Sequence, residues 1–336
     1  MTTLKKTASF SLLLITILFT PFFANAHVKW FTEQEPIKIP LEEIISPLFI
    51  LLSVLIAIFL SIVPQIVPYF ANFKLTKILD GTLDGWRKYS RYILKYGTAA
   101  ALMIQVTSGT LFAPEFHLNS TFQLIFIWLA IGLLLVPHHL ATKLAALLLV
   151  GLFIDVMQTV GVFHMLDYGF YLAIIGVLLI GKTKFENLGF PFLYLGTGLS
   201  LCWVAVEKWV YPALSIEIIQ THHVPMFGVS PEMFVILSAF IEFVVGYALV
   251  VGILNRFLSV VLTGVFIMTT MIFGFTEMIG HFMIHVVLII FVIEGVGFYK
   301  PPIKIHKSRT DQMIFVFLNF IFVLATTVLI YYRFAG

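Results

Sequence analysis

Cysteine is nearly missing from this chain: Cys202 is the single one. One thiol excludes an intramolecular disulfide framework, an iron–sulfur cluster, a CxxC redox pair and a cysteine zinc site, so any metal chemistry must use His, Met and carboxylates. Charge is scarce as well, at 11% of residues against about 25% in an ordinary soluble domain. That shortage excludes a soluble fold. The net charge of +3 is small and dispersed, which excludes a nucleic-acid partner and makes the placement of Lys and Arg more informative than their sum. No haem- or flavin-binding motif is present, so electrons for any redox role would come from a partner subunit.

What is there is apolar. Hydrophobic residues make up 60% of the 336 positions, with 35 Phe, and the mean hydropathy is +1.04. A lipid bilayer is the partner such a composition requires.

Residues 1–26 read as a secretory signal peptide: Lys5 and Lys6, an apolar run from Phe10 to Phe19, and Ala24-Asn25-Ala26 as the cleavage site. Cleavage would leave His27 as the mature N-terminus. Residues 27–42 are polar and carry Pro36 and Pro40, the pattern of an extended segment outside the membrane. Ten apolar segments follow, at 43–64, 96–113, 121–136, 144–163, 168–181, 189–213, 232–253, 257–276, 279–298 and 312–332.

With the mature N-terminus outside, the inner connections hold Lys74, Lys77, Arg87, Lys88, Arg91, Lys95, Lys143, Lys182, Lys184, Arg256, Lys300, Lys304, Lys307 and Arg309, and 65–95 is a basic cytoplasmic loop. Outer segments hold only Lys29, Lys38 and Arg333. This positive-inside bias agrees with a secreted N-terminus and predicts a multi-pass protein of a bacterial inner membrane with both termini periplasmic.

Residues 96–182 and 189–298 look like two copies of one four-helix unit. Tyr96-Gly97-Thr98 matches Leu195-Gly196-Thr197, the turn ending at Pro114 matches the one ending at Pro212, and Val150–Ile154 matches Thr263–Ile267. The offset grows from 99 to 113 between these anchors, so the second copy has a longer outer loop, which includes His222 and His223. Both copies begin inside, giving a parallel repeat flanked by the first and last helices. The expectation is an all-α integral membrane protein of ten transmembrane helices: two tandem bundles plus flanking helices.

Ionisable side chains inside apolar runs are costly and mark candidate sites. The second copy carries Glu207, Lys208, Glu242, Glu277, His281 and His285, most of them in the outer half. Glu207 and Lys208 are adjacent, about 100° apart on a helix, and so must pair with different partners. His281 and His285 share one helix face, a spacing that suits a metal or a proton relay and equally a structural hydrogen bond. In the first copy Ser108, Gly109 and Leu129 stand at the positions of Glu207, Lys208 and Glu242, and Asp167 stands opposite His281. On this alignment the second copy carries the chemistry and the first supplies packing. Asp155 and Gln158, three apart, predict a mutual or interhelical hydrogen bond.

Most histidines fall on the outer side, together with Met165, Met226, Met278 and Met283. Imidazole and thioether ligands suit copper. His27, as a mature N-terminus, would chelate through its α-amine and imidazole, with His222 and His223 as further candidate metal ligands.

At Glu207-Lys208, Tyr211-Pro212, Pro231-Glu232-Met233-Phe234-Val235, Glu242, Gly246, Gly252, Arg256 and Gly280-His281 the chain resembles the DoxX/DoxD-like membrane family, over about 190–298 and more weakly over 90–182. The resemblance implies a four-helix membrane unit and a subunit of a thiosulfate:quinone oxidoreductase or another redox-linked membrane complex. It also implies Glu207, Lys208, Glu242, Arg256 and His281 as the family-like polar positions. The doubled unit, the two extra spans and the absence of a sulfur-transfer motif at Cys202 depart from thiosulfate chemistry.

Three functions stay open. A quinone-linked redox subunit would use Glu207, Lys208, Glu242, His281 and His285 for proton chemistry and Glu277 and Arg256 to hold the quinone. A copper-handling protein would use His27, His222 and His223. A scaffold or small-solute permease would use none of them catalytically.

Overall fold

The computed structural model describes residues 28–32, 35–71, 74–295 and 305–335. The signal peptide and His27 lie outside the described residues.

Helix α1 covers Pro47–Ala71 and α2, Lys74–Trp86, follows it; α3 is Ser90–Thr107. A hairpin, β1 Thr110–Leu111 and β2 Ala113–His117, leads to α4, Thr121–Leu135, and α5, His139–Val160. Two short turns, Val162–Met165 and Leu166–Tyr168, precede α6, Phe170–Ile180. Then come α7 Gly189–Val210, α8 Pro212–Thr221, α9 Pro231–Val251, α10 Asn255–Phe273, α11 Phe275–Glu294 and α12 Arg309–Phe334.

The helices start and stop where local chemistry requires. The hydroxyls of Ser120, Ser230 and Ser308 accept hydrogen bonds from the backbone N–H groups of Gln123, Met233 and Asp311, capping α4, α9 and α12. Pro231 fills the first position of α9, where no donor is needed. A single residue, Gly274, turns α10 back into α11 with φ 70° and ψ −142°, a conformation costly for any side chain.

Among the described residues seven helices are long and apolar enough to cross a bilayer: Pro47–Ile66 within α1, α5, the stretch Glu186–Val210 containing α7, α9, α10, α11 and α12. The segment Val162–Tyr168 with α6 makes an eighth if its 68° bend is taken as one broken span. Of the ten expected spans, length and composition thus support seven or eight, and α3 and α4 do not meet the same standard. The shortfall has a physical cause at each place. Helix α4 has only 15 residues, short of the roughly 20 a bilayer needs. Arg91, Lys95 and Gln105 dilute the hydropathy of α3.

Around the bundle, α3 packs on α4, α4 on α5, α5 on α6, α6 on α7, α7 on α9, α9 on α10, α10 on α11, and α11 returns to α3. Helices α1 and α12 pair with each other, and α12 lies against α7. One apolar core runs through α3–α6 into α7 and α11, and a second fills the space between α1, α7, α9 and α12. Helices α7 and α9 approach closely at Gly198 and Gly246: a Cβ on Gly198 would lie 2.5 Å from the Gly246 carbonyl oxygen. Small residues at a crossing let two backbones touch. Cys202 belongs to this contact, buried, with its thiol 3.5 Å from the Phe243 carbonyl.

Gln123 on α4 donates to Asp155 on α5 at 2.7 Å, so Asp155 makes the interhelical hydrogen bond its setting predicts.

Candidate functional site

Chain ends and turns from five elements meet at one end of the bundle, the outer end in the sense used above. Glu207 closes α7, Asp167 and Tyr168 lie in the turn before α6, Glu277 and His281 open α11, Glu115 is on β2, and Val28–Trp30 forms a single 3-10 turn that rests among them. The hairpin is fixed by Gln105, whose side chain bonds both the N–H and the C=O of Phe112 and reaches the Tyr171 hydroxyl at 2.8 Å. That brace sets where Glu115 points.

Lys29 is the centre of the first group. Its ammonium lies 2.6 Å from Asp167 Oδ2 and 2.7 Å from Glu207 Oε1. The two carboxylates are 1% and 0% exposed, whereas the lysine that joins them is 22% exposed. Burial alone pulls the Lys29 ammonium down, but the charges of Asp167 and Glu207 outweigh it and hold the group above the usual lysine range. Asp167 Oδ1 and Glu207 Oε2 are buried with no hydrogen-bond partner among the described residues. Next to them Tyr168 donates its hydroxyl hydrogen to Glu115, and His164 Nε2 lies 3.0 Å from the same Glu115 oxygen. Burial by itself would raise the Glu115 carboxyl; His164, Tyr168 and the charge of Lys29 reverse that and place it below the usual carboxylate range.

Trp30 links this group to a second one. Its indole N–H donates to the Tyr168 hydroxyl at 2.8 Å, and its ring sits 4.9 Å from the His281 ring, centroid to centroid. The indole lies where a Cβ on residue 280 would be, so Gly280 is the shelf on which Trp30 rests. His281 Nδ1 is 2.9 Å from Glu277 Oε1, an ion-pair distance but out of line for a hydrogen bond. Both are buried. Phe266 stacks on His281 at 4.3 Å and meets His285 edge-on at 6.0 Å, so Glu277, His281 and His285 descend one face of α11 in successive turns.

Lys208 and Glu242 form a separate ion pair between α7 and α9, with Lys208 fully buried. Glu207 and Lys208 therefore face different helices. The cluster expected from Glu207, Lys208, Glu242, Glu277, His281 and His285 divides into these parts. Arg256 stands apart: it donates to the Val292 and Ile293 carbonyls at the far end of α11 and pairs with Asp80 and Asp84. Fifteen residues of helix separate Glu277 from that end, about 22 Å at roughly 1.5 Å per residue, so Arg256 and Glu277 do not share one cofactor site.

His222 packs against Phe31 and Phe273, and His223 is exposed on the turn after α8. Among the described residues no group of three or more His, Cys, Asp or Glu side chains is arranged to hold a metal ion.

The cluster draws on both proposed units. Asp167, Glu115, His164 and Tyr168 lie within 96–182, so residues of 96–182 and of 189–298 meet in the buried cluster. Lys29 and Trp30 lay in a segment whose polarity suggested only an exposed linker. Asp167 did carry a signal, its alignment opposite His281.

This fold and this polar end define a multi-pass α-helical membrane protein with a buried acid–base cluster. Residues 193–275, 83 of the 336, match the family model described as DoxX. The match takes in Glu207, Lys208, Glu242 and Arg256 and stops before Glu277 and His281. No curated protein and no solved structure matches the chain.

Proposed function

We propose that this chain is a quinone-linked redox subunit of a bacterial inner membrane, and that its outer acid–base cluster manages the protons of that reaction. The observation that carries this reading is the Glu277–His281 pair. Both Glu277 oxygens and His281 Nδ1 are buried without a well-aligned hydrogen bond among the described residues. Such groups are expensive to leave unmet and fit a ligand that offers hydroxyl donors and carbonyl acceptors. A quinone supplies two-electron, two-proton chemistry when bound. The residues' own part is acid–base: Glu277 accepts a proton, His281 passes it along α11 or outward, and the Trp30 and Phe266 rings around His281 keep water away. His285, one turn deeper, extends the relay.

The closed order of packing, in which the last helix of each proposed unit touches the first of the other, supports the tandem four-helix reading. The Lys and Arg of the opposite end support both termini lying on the periplasmic side. A redox partner brings the electrons.

Native mass spectrometry of the protein from its own membranes tests the assignment. The expected result is a bound quinone in the wild type that is lost in a folded His281→Ala variant. A wild type purified without quinone under conditions that keep lipids bound counts against it. A metal adduct on a chain beginning at His27 would instead favour copper handling, and neither adduct would favour a scaffold or permease.

A further inference from the structure

The arm that carries Lys29 occupies a site made entirely by other parts of the chain. Asp167 and Glu207 come from the turn before α6 and the end of α7, and both aim at one nitrogen. Two carboxylates this deeply buried are not stable side by side without a cation between them. The protein meets that need from outside the bundle, with a side chain on a short turn, and not with a lysine rooted in a helix. The cation is also the exposed member of the trio, at 22% against 1% and 0%, so the ammonium stands at the mouth and the acids at the floor. Two more acceptors, Asp167 Oδ1 and Glu207 Oε2, are buried there without a hydrogen-bond partner among the described residues. The floor thus offers four carboxylate oxygens to an ammonium that has three hydrogens. Alongside, the Gly280 shelf and the Tyr168 hydroxyl receive the ring and the N–H of Trp30.

We propose that Asp167 and Glu207 form a binding site for a primary alkylammonium group at the outer membrane surface, and that Lys29 is its tethered occupant, displaced when the ligand enters. The site recognises an –NH3+ on a slim alkyl stem, the shape of the lysine side chain that reaches both buried acids. Two sources have this chemistry, a free amine and the ethanolamine headgroup of a lipid; the outer ends of the helices lie where such headgroups are found. The proposal is independent of the quinone reading, which rests on Glu277 and His281.

The test is chemical rescue of the full chain carrying Lys29→Ala, in nanodiscs of phosphatidylcholine alone. The variant unfolds at a lower temperature than wild type, and millimolar n-propylammonium, the fragment the substitution removes, restores at least half of the loss. Tetramethylammonium at the same concentration does not, and Lys29→Ala combined with Glu207→Gln gains nothing from propylammonium. Repeating the measurement in discs containing phosphatidylethanolamine separates the sources: recovery without added amine assigns the site to the headgroup, and recovery only with added amine assigns it to a free ligand. Equal effects of the two ammonium ions, or none from either, overturn the proposal. Should the variant fail to fold, its yield with and without propylammonium during purification is the readout, and a yield that propylammonium does not raise overturns the proposal equally.

Discussion

The two ends of this bundle handle charge in opposite ways. At the inner end the cations are numerous and directed at backbone; Arg87, Arg91 and Arg256 are partly exposed and Lys95 is buried. Arg91 donates to the Val177 and Glu186 carbonyls, Lys95 to that of Val136, Arg87 to that of Glu294, and Arg256 to those of Val292 and Ile293. Apart from that of Glu186, these carbonyls close α6, α4 and α11, where positive charge meets the negative end of the helix dipole. The acidic partners Asp80, Asp84 and Glu186 are about 40–50% exposed, so those pairs are weak; Glu294, 4.0 Å from Arg87, is the buried exception. At the outer end the carboxylates are inside and cations are few: Lys29 alone joins Asp167 and Glu207, and Lys208 alone faces Glu242. Cations at the inner end cap helices and set orientation. Buried acids at the outer end are stable only with a bound cation or proton beside them.

The largest test of this contrast is Lys208. Lys208→Ala strands Glu242 in the α7–α9 interface, and removing one partner of a buried pair costs about 3–5 kcal/mol. Lys208→Met with Glu242→Leu, which removes both charges, recovers most of that loss. Reversible unfolding in detergent measures both. A loss under about 1 kcal/mol for the single variant, the level of an exposed pair, would put this pair on the same footing as the inner end and break the comparison.

Arg256 sharpens it from the other side. Arg256→Ala removes two caps from α11 and two exposed ion pairs, an expected loss of about 1–2 kcal/mol. Because Asp80 and Asp84 face water, part of that loss disappears at high salt. The cost of Lys208→Ala does not change with salt. Unfolding midpoints of the two variants in low and high salt show whether screening separates the ends. On the proposed quinone reading, occupancy in Arg256→Ala equals that of the wild type, since this residue caps the end of α11 remote from Glu277.

The sequence is informative wherever composition itself is the signal. Each of the ten apolar segments overlaps a helix, because a long apolar run has few other structures available in lipid. Their number as spans was not legible, since the length of α4 and the bend before α6 depend on packing. Glu207, Glu277 and His281 stood out because a charge in an apolar run is rare. Lys29 and Glu115 did not, because each lies in a turn or hairpin where polar residues are ordinary, and Asp167 was marked only by its alignment opposite His281. Only the fold shows that the turn is buried. Arg256 lies at the inner end, where its charge placed it, and there it hydrogen-bonds the last carbonyls of α11.

The smallest effect concerns Glu115, at the rim of the outer end and outside the spans. His164 and Tyr168 hold its carboxyl below the ordinary value of 4.5. A group with a depressed folded-state pKa contributes stability that is complete above its unfolded value and is lost as pH falls through the folded one. Between neutral pH and 4.5 the contribution of Glu115 is therefore constant, and below 4.5 it fades. Glu115→Gln removes the carboxylate, so its unfolding midpoint falls less steeply than that of the wild type in acid, while the two run parallel at higher pH. Parallel curves throughout would mean that the His164–Glu115 contact contributes nothing, and the buried outer cluster would then end at Asp167 and Glu207.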